Sequence, residues 1–366
     1  MKDIILVLSL AVIVLAGCME DPPSATDGNA TLSIVAVWDS SSVDSVSRFT
    51  TLAYAKVIIT SEYGTMIHQT DANGVLRLEK LPSTTYTVSV RKPHPVDPNI
   101  QLVGSILGIV LKSGSVSQDT IRTKAMSSSG VSINEIYAAG PVNNIFYFYD
   151  LYLELYNGSD SVRYLDGWLV MRVTGNSELN ILPGEDAGND GDIDGVNYVF
   201  KFPGLPGERN YPIAPGQFVV LAGDAVDHSR VVSGGVDLSG ASWEFYNQYS
   251  AEDIDNPSVP NLINMRSSHT TDFYIGLTAD VIVVSAGRDT NWVDGIDISD
   301  IIDGVEYQSN PPPTNQKTLD GRVDRGYALS APRYSGKSMQ RREPGSDSND
   351  GTLDFEIINR TTPGRQ

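Results

Sequence analysis

The chain has 366 residues, 40% hydrophobic and 19% charged, the balance of a globular protein long enough for two domains. Its formal net charge of −19 gives a surface that repels nucleic acid and anionic lipid head groups while favouring solubility and cations. Cys18 is the single cysteine, which excludes an intramolecular disulfide and cysteine-based metal or thiol chemistry in the body of the chain.

Met1 to Cys18 reads MKDIILVLSLAVIVLAGC, with one lysine, an apolar run of 13 residues from Ile4 to Ala16 broken only by a serine, and small residues after it. A stable membrane anchor needs about 20 apolar residues, so this run is expected to be a cleaved signal peptide over residues 1–17. Leu15, Ala16, Gly17 and Cys18 match the bacterial lipobox, where signal peptidase cuts before the cysteine and the thiol carries diacylglycerol. The alternative is an ordinary secretory signal with an accidental cysteine. Residue 19 is Met, not the Asp that holds enterobacterial lipoproteins in the inner membrane, and Glu20 and Asp21 resemble the acidic export signals of surface lipoproteins. The expected address is the outer membrane, facing outward, with bilayer lipid as the partner of the Cys18 acyl chains.

Residues 18–29 contain EDPPSATDGN, nearly free of apolar side chains, and read as a lipidated tether. Strand-like runs follow at Leu32 to Trp38, Lys56 to Thr60, Val75 to Leu78, Tyr86 to Arg91, Leu102 to Lys112 and Val116 to Ile121. Asn73-Gly74 supplies a turn that needs positive φ. The stretch TDANGVLRLEKLPSTTYTVSV is similar to the carboxypeptidase-regulatory-like, transthyretin-type sandwich. That resemblance covers residues 30–124 and implies support rather than catalysis. Residues 125–130, with MSSSG at Met126 to Gly130, read as a polar linker open to proteases.

From Val131 the pattern changes. Leu151, Leu153 and Leu155 alternate with Tyr152, Glu154 and Tyr156, the period of two of a strand with one face in a core, and Asn157-Gly158 turns the chain. INEIY, DLYLELYNGSD and YLDGWLV, with a tail carrying SMQRRE, LDFEIIN and Thr-Pro-Gly, resemble the lamin-tail type of immunoglobulin-like domain. The resemblance implies an Ig-like sandwich over residues 131–366 with long loop insertions. Further strands are expected near Tyr198 to Phe202, Gln217 to Ala222, Phe273 to Leu277, Val281 to Ser285, Ile301 to Tyr307, Ser338 to Arg342 and Asp354 to Asn359, with single helical turns near Ser250 to Ile254 and Asp297 to Ile302. The fold class is therefore all-β, two β-sandwich domains in tandem, transthyretin/Ig-like followed by lamin-tail-like.

Tyr211-Pro212-Ile213-Ala214-Pro215-Gly216, Ala225-Val226-Asp227-His228, Val236-Asp237-Leu238, Trp243-Glu244-Phe245-Tyr246 and Asp255-Asn256-Pro257 through Leu262 resemble, in this order, a family of bacterial lipoproteins known as domain of unknown function four-eight-seven-six. The resemblance brings no activity. It implies a context, since such lipoproteins tend to be encoded beside TonB-dependent outer-membrane receptors.

Individual motifs carry two readings each. Asp190, Asp192 and Asp194 with Gly195 fit the first half of a calcium loop, but Lys201 stands where a bidentate Glu would close it. Asp186 or Asn189 would then have to help, and the alternative is a solvated acidic loop. Ala331 to Ser338 mimics a phosphate loop without its first glycine or its helix, which leaves no basis for a nucleotide partner. His68, His94, His228 and His269 show no metal-ligand spacing; His228 with Asp227 and Asp237 reads as a hydrogen-bonded loop lock or a divalent-metal ligand. No GxSxG elbow is present, so a hydrolase is the third reading. Glu135 and Glu154 read as solvated residues of an exposed sheet face or as a cross-strand pair. Tyr147, Phe148, Tyr149, Tyr152, Tyr156 and Trp168 read as cross-strand packing or a stacking platform.

The segment Gly223 to Leu262 is too long for a plain connection and too aromatic for disorder. It is expected to fold into a docking surface, with Trp243, Phe245 and Tyr246 giving contact area while His228, Asp255 and Asn256 shape the loop; plugging the open end of the sandwich is the competing role. The combined expectation is a non-enzymatic, lipid-anchored accessory protein of a TonB-dependent uptake system. A calcium-stabilised adhesion or glycan-binding protein is the alternative.

Overall fold

The computed structural model describes residues 28–40, 49–95, 100–127, 129–142, 147–310 and 316–366. The expected leader, the lipobox with Cys18 and most of the tether lie outside the described residues. Among these residues the chain is all-β: helix is limited to the single turn α1 (Gly351–Asp354) and two 3-10 turns at His228–Arg230 and Ile298–Asp300. No described helix is long and apolar enough to cross a membrane.

The first unit holds β1 (Ala30–Asp39), β2 (Phe49–Thr51), β3 (Lys56–Ser61), β4 (Gly64–Gln69), β5 (Val75–Leu81), β6 (Thr85–Pro93), β7 (Ile100–Val110) and β8 (Val116–Ser127). β1 alternates buried Ala30, Leu32, Ile34, Ala36 and Trp38 with half-buried residues, the pattern of a strand with one face inward. β8 pairs in parallel with β1 over 116–123 and then antiparallel with β7 over 124–127, so one strand serves both layers. Leu32, Ile34, Val57, Ile59, Val88 and Val90 meet in the core between them. The Asn73-Gly74 turn forms as expected, with Gly74 at φ +75° and the Asp71 carboxylate accepting from the amides of Asn73 and Val75, both at 2.8 Å.

The second unit contains β9 (Val131–Tyr137), β10 (Tyr152–Asn157), β11 (Arg163–Tyr164), β12 (Leu169–Val173), β13 (Asp192–Ile193), β14 (Val196–Lys201), β15 (Pro212–Ile213), β16 (Phe218–Ala222), β17 (Trp243–Glu244), β18 (Ile263–Asn264), β19 (Ala279–Ser285), β20 (Ile296–Asp297), β21 (Ile301–Gln308), β22 (Ala328–Leu329), β23 (Ser338–Arg341) and β24 (Phe355–Ile358). Two six-stranded sheets face each other, ordered β17-β16-β10-β9-β23-β24 and β18-β14-β12-β19-β21-β22. Ile133, Ile136, Leu153, Leu155, Val170, Val284 and Val305 fill the space between them. The second sheet is buried on its outer face as well. Leu169, Met171, Val199, Val281 and Val283 pack there against Ile193 and Ile296 of the paired short strands β13 and β20 and against Leu319 and Val323, which arrive from loops. Such a doubly covered sheet loses its alternation, and four of the five residues of β12, LVMRV, are buried.

Three expectations are corrected. Residues 273–277 form no strand, because Phe273 and Ile275 plug the core from a loop. No helical turn forms at Ser250 to Ile254, whereas the one at 298–300 does. The linker expected at 125–130 is not an open hinge. β8 runs through Ser127, Met126 and Ser127 are buried, and the Ser127 hydroxyl donates to Val131 O at 2.8 Å. The Met126 side chain lies against Gly158, where a Cβ would fall 2.3 Å from its terminal carbon.

Candidate functional site

β16 leads directly into the long 223–262 segment, and Glu244 on β17 fastens it. The Glu244 carboxylate is fully buried and accepts from Ala225 N at 2.6 Å and Asn256 N at 2.9 Å, while the Asn256 amide donates to Ala225 O at 2.6 Å. Burial pushes its pKa up against those two donors. Asn256 thus ties the end of the loop back to Ala225, and Asp255 accepts from the Asn261 side chain at 2.7 Å on the exposed side. Glu244 itself escaped sequence reasoning, since a lone Glu between two aromatics looks like the solvated face of a strand.

Trp243 and Phe245 are corrected from docking residues to core residues. Trp243 is 7% exposed and sets its ring edge-on against Phe202 and Tyr211 at 5.2 and 5.1 Å; Phe245 is 0% exposed, stacked on Phe273 at 3.9 Å and edge-on to Phe200 at 5.2 Å. Large rings at a sandwich end gain more by filling it than by facing water. Tyr246 is half-buried, and of the four aromatics of the loop only Tyr249 is exposed. His228 is 1% exposed with both ring nitrogens engaged: Nε2 lies 2.9 Å from Asp224 O and Nδ1 2.7 Å from the Tyr147 hydroxyl. A carbonyl only accepts, so Nε2 carries the hydrogen, Tyr147 donates to Nδ1, and the imidazole is neutral. Burial lowers its pKa in accord. The ring thus locks the loop through Asp224 and Tyr147 and not through the expected Asp227 and Asp237, whose carboxylates accept from Ser229 and Ser239, and it leaves no ring nitrogen for a metal or a nucleophile.

The acidic loop does not converge. Asp194 accepts from Ala187 N at 2.9 Å, and Asp186 accepts from Asp190 N at 2.9 Å and from Arg322 at 2.5 Å. Asp192 faces Asp297 across β13 and β20, its pKa pushed up to about 6 by burial and then by that neighbour. Among the described residues no three His, Cys, Asp or Glu side chains group to hold a metal, so Asp190, Asp192 and Asp194 are not brought to one point. The pseudo-phosphate loop runs into strand β23, without a helix N-terminus. Of the aromatics, Tyr152 and Trp168 are buried, while Phe148 stacks on Tyr149 at 4.4 Å in a half-buried cluster. Glu135 and Glu154 are corrected from solvated residues: they are direct partners across β9 and β10, and both are fully buried.

A recess that no sequence motif marks lies between the two units. This cavity of about 700 Å³ is lined by Trp38, His94 and Leu102 from the first unit and by Arg325, Ser346 and Asp350 from the second. The Trp38 ring meets His94 edge-on at 5.1 Å. At its rim Lys124 pairs with Glu343 across the boundary, and Asp347 N donates to Ala125 O at 2.8 Å. Its far wall, the 346–354 segment, is tied down by Arg325, which donates to Ser348 O at 2.7 Å, and by Arg341 underneath. Arg341 is 2% exposed and donates to Ile133 O at 2.7 Å, Asp303 at 2.8 Å, Ser346 O at 2.9 Å and Asp354 at 3.0 Å. Burial opposes its charge, but Asp303, Asp347 and Asp354 outweigh burial and raise its pKa. The cavity brings together residues from six separate places in the chain, which no local motif announces.

Comparison with known proteins supports the fold. A family model described as a protein of unknown function (DUF4876) matches residues 214–295. A crystal structure of a DUF4876 family protein from Bacteroides thetaiotaomicron is similar over 89% of this chain and 94% of its own, with a TM-score of 0.57 and 20% identity. A candidate carbohydrate binding protein from Bacteroides uniformis aligns over 53% of this chain and 99% of its own with 12% identity, but its TM-score of 0.19 carries no argument. No curated protein matches the chain. The chain is thus an all-β sandwich protein that resembles the DUF4876 family in one segment of sequence and in overall fold.

Proposed function

We propose that the chain is a lipid-anchored, non-enzymatic binding protein of the outer membrane, accessory to a TonB-dependent uptake system, with its ligand held in the cavity between the two units. The observation that carries this reading is the cavity itself: a recess at a domain boundary, of the size of small-ligand sites, with rings and Leu102 on one wall and charges of both signs on the other. The LAGC sequence at Cys18 and the acidic residues after it support the anchor. The neutral, walled-in His228 weighs against the hydrolase reading.

A mixed lining of Arg325, Asp350 and Trp38 also favours a polyhydroxyl ligand, which offers donors, acceptors and an apolar ring face together; this is the adhesion or glycan-binding reading. Calcium would then have to bind without the preformed carboxylate group. Ser346→Trp should fill the cavity without touching either core. In native-membrane co-purification and on a glycan array with and without calcium, the variant is expected to lose receptor-associated cargo or glycan while keeping its melting temperature. Retention of both ligands by the variant would show that the cavity is not the site.

A further inference from the structure

We infer that the outer face of the first six-stranded sheet is a peptide-recognition groove, occupied here by the chain's own residues 360–366 and able to take the same segment from a second copy. The argument begins with what that face is made of. Glu135 and Glu154 sit side by side on adjacent strands with Asn134, Tyr152 and Gln340 around them, all buried. An outward sheet face of this polarity is ordinarily left to water, because burying carboxylates costs more than any packing gain there.

The cover is a short segment held by hydrogen bonds. Thr362 donates its amide to Glu135 at 3.2 Å and its hydroxyl to the same carboxylate at 2.9 Å, and Gly364 donates its amide to Glu154 at 2.6 Å. Pro363 between them has no N–H to place, and Arg365 N donates to Thr362 O at 3.1 Å, so the segment turns at Pro363-Gly364 over the two carboxylates. Gly364 takes φ +82°, which favours glycine. The Gln366 side chain donates to Arg341 O at 2.6 Å and accepts from Asn134 at 3.2 Å, and Gln340 donates to the Thr362 hydroxyl at 2.6 Å. Two backbone amides on two carboxylates, with side-chain amides at the ends, is recognition of a peptide turn through its main chain.

Two further observations mark the occupant as replaceable. Residues 361–363 are half-buried and 364–366 exposed, so the segment brings little apolar burial to hold it. It also leaves the groove incompletely satisfied: Asn134 Oδ1, on a fully buried residue, has no hydrogen-bond partner. Burial raises the pKa of Glu154 to about 8, so near neutral pH it retains a proton and the groove need not balance two full charges.

The test uses the synthetic peptide Asn-Arg-Thr-Thr-Pro-Gly-Arg-Gln with a fluorescent label. A chain lacking residues 360–366 should bind it saturably, at least tenfold more tightly than the full chain, and Glu154→Ala in the shortened chain should abolish binding. Should the shortened chain fail to fold by circular dichroism, the full-length Gly364→Pro variant, which removes one amide donor at a φ proline cannot adopt, should bind the peptide in its place. Absence of saturable binding to either folded variant, or equal binding to the parent, would overturn the groove.

Discussion

Arg341 shows how much one residue decides. Its guanidinium joins β23 to Asp303 on β21 and to Asp354 behind the cavity wall, so both sheets and the interdomain recess depend on one buried cation. Removing one member of such a network strands the others without a counter-charge, at a cost of about 3–5 kcal/mol. Arg341→Met is therefore expected to lower urea stability by that order, and Arg341→Lys to recover only part of it, since an ammonium cannot reproduce the fork. If Arg341→Met unfolds at the parent's midpoint, the node is ornamental. Trp243 belongs to the same scale. Its removal should cost about 3–5 kcal/mol, as for other buried aromatics, and a Trp243→Ala chain that keeps its stability while losing a partner would restore the docking role. The sequence carried a strand signature for Arg341 but not its burial, because a basic residue in SMQRRE is indistinguishable from a solvated one until three aspartates arrive from 303, 347 and 354.

At the scale of elements, the legible parts were those with a local cause. β1, β9, β10, β14, β16, β19, β21, β23 and β24 follow the expected runs because alternation or apolar density marks them, and the turn at Gly74 follows from Asn-Gly. What was illegible depends on distant partners. The outer core of the second sheet draws Ile193 and Ile296 from the two-residue strands β13 and β20 and Leu319 and Val323 from loops, where an isolated apolar residue has no period to betray it. β4, GTMIHQ, lies at a sheet edge with every residue half-buried or exposed, so its composition gives no inward face. The linker was misread for a similar reason: small polar residues mark loops on average, but here Met126 packs on Gly158 and Gly130 O accepts from Gly158 N at 2.9 Å. Limited proteolysis should accordingly leave residues 125–130 intact until the units themselves unfold. Early appearance of a fragment beginning near Ser127 would contradict the burial of this junction.

For the whole molecule, the balance of buried acids sets the direction of its pH response. Burial raises Glu154, Asp224 and Asp324 to about 8 and Asp253 to about 7, with neighbouring carboxylates adding to the rise in each. A carboxyl whose pKa is raised in the folded chain binds a proton there that the unfolded chain has already lost. Its stabilisation is complete below the unfolded value near 4 and disappears as pH climbs through the folded value. Asp186 and Asp320, lowered by Arg322, and Asp71 and Asp227, lowered chiefly by hydrogen bonds, work the other way, but only where pH falls through the usual carboxylate range. His228, lowered by burial, favours the folded chain above the ordinary histidine range and opposes the acids there. The raised carboxyls, joined by Asp303, which burial also raises, outnumber the two lowered imidazoles of His228 and His269 and leave the acids dominant between pH 5 and pH 8.5. The melting temperature should therefore peak at mildly acidic pH and fall by several degrees toward pH 8.5. Asp324→Asn, which keeps the shape of a neutral acid in a 2% exposed site, should flatten part of that fall. Thermal melts of parent and variant across this range check both statements, and a melting temperature that rises with pH would show that the buried acids are ionised and paired by groups other than those described.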